Sequence, residues 1–254
     1  MIHDPIFLFT FPALVLLGYL SCKHYSTAVA LLAGFLPVYL LRFSFFGLPT
    51  NLFEIAVITV ALVGLIRPPV TKGWLQHFRK IPLTISTLSL LFIFSAIVST
   101  YISPHPLTSL GILKSWVLIP MIFGWLVFSV AQSPPNRNRI IFAIIISGTV
   151  MAAFSLTELS LPAPSRIRGI YDTPNSLALF LTPIFILVAF SPTRSSKPLF
   201  KILIHASFVI LGVSIIATQS LAAVLSVVLT LIIGSYFFSP QRKKILLALI
   251  ILLI

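Results

Sequence analysis

Residues 202–238 read ILIHASFVILGVSIIATQSLAAVLSVVLTLIIGSYFF, and this run decides the architecture. As one α-helix its 37 residues would stretch roughly 55 Å, against a hydrocarbon core of about 30 Å. Both flanks are basic, Lys201 on one side and Arg242-Lys-Lys244 on the other, which places both ends on the cytoplasmic side. The run therefore crosses twice. Its only polar break, Thr218-Gln-Ser220, is the expected turn on the outer side. Helices rather than strands follow, because lipid leaves the backbone no partner outside the segment itself.

The same ruler, about 20 apolar residues per crossing, divides the whole chain into about ten spans. They cover 6–20, 26–41, 50–66, 82–102, 107–131, 140–158, 174–190, 202–218, 221–238 and a last one opening at Ile245. The fold class expected is all-α, a polytopic membrane bundle forming a single transmembrane domain over 1–254. From Ile245 the chain has only ten residues, about 15 Å of helix, and a carboxylate ending in hydrocarbon is costly. The expectation is a truncated tenth span and a chain that forms the N-terminal part of a longer protein.

Composition agrees. Hydrophobic residues make up 58% and charged residues 8%, with mean hydropathy +1.12, whereas soluble domains carry about 25% charged residues. The net charge of +13 does not indicate nucleic acid, because the basic residues sit in short clusters between apolar runs. The single Cys22 excludes an intrachain disulfide and a Cys-rich metal site. Met1-Ile-His-Asp4 lacks the basic start of a cleaved signal peptide, so the first run stays as a span.

Orientation is the one free choice. If the loops after spans one, three, five, seven and nine face the cytoplasm, they hold thirteen of the seventeen Lys and Arg residues. Arg42, Lys114, Arg166 and Arg168 remain for the outer side or the membrane, and the N-terminus lies outside. All four acids, Asp4, Glu54, Glu158 and Asp172, fall at or near that outer face.

Charges kept against this trend are the candidates for function. Lys114 lies about eight residues inside span five, roughly 12 Å below its outer end, where an intramembrane lysine needs a partner such as Glu54. Structural pairing or snorkelling is the plainer account of it. Arg166 and Arg168 are two apart in Arg-Ile-Arg-Gly-Ile-Tyr-Asp-Thr-Pro-Asn175, so an extended loop points both forks one way, toward a phosphate or carboxylate or toward lipid headgroups. Gly169 allows a turn or a close approach, and Asp172 or Thr173 can cap the helix that Pro174-Asn175 opens. Arg42 precedes the aromatic segment Phe43–Pro49, and His105 stands between prolines as a possible base. Intramembrane Ser115 is expected to bond helix to helix. No metal-ligand spacing, phosphate loop or nucleophile–base pattern appears, so neither metal nor cofactor is implied.

Arg166-x-x-Gly169 followed by Pro174-Asn175 and an apolar helix resembles the O-antigen ligase / O-antigen polymerase-like membrane family. Leu36–Arg42 with Phe46–Thr50 and Glu54, and Ile102-Ser-Pro with Gly111-Ile-Leu-Lys114, look similar too. Thr218-Gln-Ser-Leu-Ala222 stands where the family has Thr-x-Ser-Arg-Gly, so its arginine and glycine are absent here. The resemblance implies a multi-pass glycosyltransferase of the bacterial inner membrane, working in cell-surface polysaccharide and lipopolysaccharide biosynthesis. Its donor would be an undecaprenyl diphosphate-linked glycan on the periplasmic face, handled without metal or nucleotide sugar. It implies that Arg166, Arg168, Lys114, Arg42, Gly169 and Asn175 bind substrate, while a large periplasmic loop carrying a catalytic histidine would follow. The alternative is a transporter or channel whose polar path uses Glu54, Lys114 and Arg166.

Overall fold

The computed structural model describes residues 5–45, 48–79, 81–160, 166–191 and 198–237. They are overwhelmingly helical: α1 (Pro5–Lys23), α2 (Tyr25–Gly34), α3 (Leu52–Ile66), α4 (Pro68–Phe78), α5 (Leu83–Tyr101), α6 (Pro106–Ile112), α7 (Ile119–Val130), α8 (Pro134–Leu156), α9 (Pro174–Phe190), α10 (Pro198–Ala217) and α11 (Leu221–Phe237). Proline opens α4, α6, α8, α9 and α10, at the position where its missing N–H would be unsatisfied anyway.

Four helical stretches are long and apolar enough to cross a membrane: Leu83–Tyr101, Pro106–Val130, Pro134–Ser160 and Pro198–Ala217. Counting α3 and α4 as one broken span, bent by 97°, makes five. Much of α1, α2, α9 and α11 is apolar but shorter. The division of 202–238 is as expected: α10 ends at Ala217, α11 starts at Leu221, and Gln219 takes φ +52 between them. The segment opening at Ile245 lies outside the described residues.

Three elements differ from the expectation of helical spans joined by loops. The run 26–41 is not one helix, because α2 stops at Gly34 and a 3-10 helix, Leu36–Leu40, takes over at Pro37. Proline disfavours the helical conformation in the residue before it, which explains the break. The aromatic segment that follows pairs into an antiparallel hairpin of β1 (Arg42–Phe45) and β2 (Leu48–Asn51), with Arg42 opposite Asn51. The basic stretch after Arg67 is a helix, α4, not a loop.

The chain divides into two compact units, Met1–Ile140 and Ile141–Ile254. In the first, α3 packs on α1, α2 and α7, burying Val29 and Ala33 of α2, Val57 and Val60 of α3, and Leu126 of α7. In the second, α9 packs against α10 and α11. Leu181, Phe185, Leu211, Ile215 and Leu231 are fully buried there, and Phe185 stacks on Phe208 with ring centroids 4.8 Å apart. Gly148 lets α8 approach α9: a methyl group there would stand 2.7 Å from Ile184. By contrast, α5 has no buried residue at all.

Candidate functional site

Of the six residues singled out from the sequence, five fall into two polar clusters, one in each unit, and Arg42 stands apart from both. In the first unit, Asn51 caps α3 by accepting a hydrogen bond from the Glu54 amide at 3.0 Å. That cap sets Glu54 in the first turn with its side chain only 2% exposed. Lys114 Nζ reaches Glu54 Oε2 at 2.8 Å and also donates to the Pro49 carbonyl at 2.6 Å. Thr50 Oγ1 (2.7 Å), Asn51 Nδ2 (2.8 Å) and Ser115 Oγ donate to the same carboxylate. Four side-chain donors on two oxygens leave the buried charge well compensated.

Lys114 and Ser115 are neighbours in sequence, yet both reach Glu54, because Leu113–Leu118 is a π-helical segment. Its wider turn runs from the Ile119 amide to the Lys114 carbonyl. Pro120, next in the chain, has no N–H for the ordinary helical bond and crowds the carbonyl four residues back, which favours the wider register. Gly111 lets Pro49 approach: a methyl group there would lie 3.1 Å from the proline ring. Arg42, across the hairpin from Asn51, is exposed, and its side chain makes no hydrogen bond or ion pair with the described residues. An apolar cavity of about 380 Å³ between α1, α2 and α3 is walled by side chains such as Leu17, Leu32 and Phe53. It offers room for hydrocarbon and no polar chemistry.

The second cluster gathers Arg166, Arg168, Gly169 and Asn175. Ile167 pins the loop: its side chain is fully buried and its amide donates to the Ala217 carbonyl at 3.2 Å. The arginines on either side of it are exposed, as an extended stretch requires. Arg166 Nε donates to the Thr218 carbonyl at 2.8 Å, and its Nη2 donates to Asn175 Oδ1 at 3.0 Å. One guanidinium thus satisfies a carbonyl just past the C-terminus of α10 and joins it to the first turn of α9. A cation suits a helix C-terminus for both hydrogen-bonding and dipole reasons.

Arg168 is different. Its amide donates to Glu158 Oε2 at 2.9 Å, while its guanidinium has no partner among the described residues. Gly169 follows at φ +59, a conformation that suits glycine, and a methyl group there would stand 3.1 Å from the Ser155 side chain. Tyr171 is buried and its ring lies 5.8 Å from that of Phe180. Of the two caps considered for α9, Thr173 is the one used, accepting from the Ser176 amide at 3.2 Å. His105 is exposed at the start of α6, with no side-chain partner among the described residues.

Sequence reasoning missed two connections. The acceptor for Arg166 is a main-chain carbonyl, which carries no residue signal. The Glu158 contact joins residues ten apart across 161–165, and in the sequence Glu158 reads only as an outer-face acid. The described residues thus form a predominantly helical protein, with one short hairpin, apolar helices of membrane-crossing length and two polar clusters. No family model, curated protein or solved structure matches it.

Proposed function

We propose that the chain is a multi-pass membrane protein of the glycosyltransferase kind, similar to O-antigen ligases and polymerases, whose Arg166–Asn175 loop binds the diphosphate of a polyprenyl-linked glycan donor. In this reading it crosses the membrane about ten times, lies in a bacterial inner membrane, and holds that loop on the periplasmic side. The carrying observation is the pair of arginines whose charges no carboxylate takes up among the described residues. Arg166 is held by a carbonyl and an amide oxygen, and the Arg168 side chain bonds to none of the described residues. A diphosphate leaving group needs such fixed cations, because negative charge develops on it as the glycosidic bond breaks.

Glu158 and Asp172 accompany the two arginines, so the loop is not cationic overall. Attraction of a diphosphate therefore rests on the aim of the guanidinium forks rather than on bulk charge. Arg42 is an exposed cation of the first unit, whereas Lys114 is already paired with Glu54. That pairing also weighs against a transport path through Lys114 and Glu54, since the carboxylate is fully engaged and holds the ammonium together with the Pro49 carbonyl.

Arg168 provides the cleanest test, because its side chain makes no hydrogen bond or ion pair among the described residues. The purified chain should bind undecaprenyl diphosphate in preference to uncharged undecaprenol. Arg168→Glu should weaken diphosphate binding at least about tenfold with an unchanged melting temperature. Equal binding of both lipids, or an Arg168→Glu variant that binds like the parent, would remove the basis of the proposal.

A further inference from the structure

The elbow between α3 and α4 belongs to neither cluster, yet it is elaborately built. Arg67 Nη1 donates to the Ser21 carbonyl at 3.1 Å, tying the elbow to the end of α1. Thr71 Oγ1 lies within 3.0 Å of the Gly64, Leu65 and Arg67 carbonyls, closing the C-terminal end of α3. Trp74 folds back over Gly64, where an added methyl group would come within 2.5 Å of its ring, and lies 6.4 Å from the ring of Tyr25. His77 and Phe78 pack edge-on against Phe128 and Trp125 of α7. These contacts fix the 97° bend, so α4 leaves the direction of α3 nearly at a right angle.

What α4 leaves uncovered is chemically mixed. Lys72, Gln76 and Arg79 follow one another at helical spacing and are all exposed. Beside them stand Leu75, 62% exposed, and Phe78, 59% exposed, with Ile66 at 79% just before the bend. A basic stripe flanked by large exposed apolar side chains suits the boundary between hydrocarbon and headgroups better than water. The charges also lack partners among the described residues. Glu54 is the only acid among the described residues of this unit; it lies twelve residues before Ile66, about 18 Å along α3, and is engaged by Lys114. At the inner side of α4, the Tyr25 hydroxyl, Trp74 Nε1 and His77 Nδ1 are buried without a hydrogen-bond partner among the described residues.

We infer that α4 is an interfacial helix that lies along the cytoplasmic membrane surface and holds the phosphates of anionic phospholipids with Lys72 and Arg79. The apolar side chains enter the upper acyl region, and the lipid supplies the counter-charge that the protein lacks. Arg67, already bonded to Ser21, sets the elbow rather than binding the headgroup.

The test is native mass spectrometry of the purified chain titrated with phosphatidylglycerol or phosphatidylcholine. The parent should retain phosphatidylglycerol preferentially. Lys72→Gln with Arg79→Gln should reduce that retention at least about tenfold, whereas exchanging the two (Lys72→Arg with Arg79→Lys) should preserve it. None of these changes touches the packing residues Thr71, Trp74 or His77, and a thermal melt verifies that the fold is kept. If the glutamine pair unfolds, the exchanged pair and the two-lipid comparison still decide the matter. Equal retention of both lipids, undiminished retention by the glutamine pair, or complete displacement by inorganic phosphate would overturn the inference.

Discussion

The two polar clusters use their cations in opposite ways. Around Lys114 the positive charge meets a carboxylate at 2.8 Å, and three further side chains complete that carboxylate's hydrogen bonds. Around Arg166 the acceptors are a carbonyl and an amide, both uncharged, and Arg168 has no acceptor for its side chain among the described residues. The first arrangement neutralises charge and joins α3 to the π-helical segment. The second positions charge without neutralising it. Burial explains the division, since Glu54 is 2% exposed and must be compensated, while both arginines reach the surface.

The largest expected effect tests this division on stability. Lys114→Met leaves the Glu54 carboxylate buried without its cation and should cost about 3–5 kcal/mol in a denaturant titration in detergent. Adding Glu54→Gln should return a large part of that loss, because a buried pair removed together leaves no orphaned charge. Arg168→Ala, an exposed change with no side-chain hydrogen bond among the described residues to lose, should stay within about 0.5 kcal/mol of the parent. Comparable losses at Lys114 and Arg168 would erase the contrast.

A smaller effect is expected at Gly169. Alanine there would hold a left-handed backbone at a cost of about 1–2 kcal/mol, and its methyl group would press on Ser155. The loss should appear as a lower melting temperature, together with weaker diphosphate binding as the loop shifts. A full melting temperature with intact binding would show that the positive φ is not needed to present the arginines.

The smallest and most discriminating change is Glu158→Gln. The amide oxygen can still accept from the Arg168 main chain, so the loop keeps its shape while one nearby acid disappears. Diphosphate binding should tighten about twofold to fivefold, the scale of an exposed charge interaction. Weaker binding would mean that the carboxylate helps to hold the ligand rather than opposing it.

The apolar runs made most helices legible, and the polar break at Thr218–Ser220 placed the turn between α10 and α11 correctly. Lys114 announced its need for a partner, and Glu54 was among the partners considered. The π-helical segment was harder to read, although Pro120 was visible, because the wider register depends on which carbonyl the chain can forgo. The hairpin at 42–51 was hidden in an aromatic stretch that resembles an interfacial belt. Helix α4 was hidden by its own charges, since Lys72 and Arg79 marked a loop as readily as an exposed helical face. Main-chain acceptors such as Thr218 leave no trace in residue identity at all.

Helix α5 carries a consequence for how this protein can change over generations. No residue of it is fully buried, so most of its side chains answer to the surrounding medium, while half-buried Ile93 and Ala96 also answer to neighbours. Exchanges among Leu, Ile, Phe and Val along Leu83–Tyr101 preserve what the medium requires, and the segment is free to drift in identity while holding its hydropathy. In α9, Leu181 and Phe185 are enclosed on all sides, so a change in shape there must be answered by a neighbour. Divergence in this chain should therefore run fast along α5 and in coupled steps around α9.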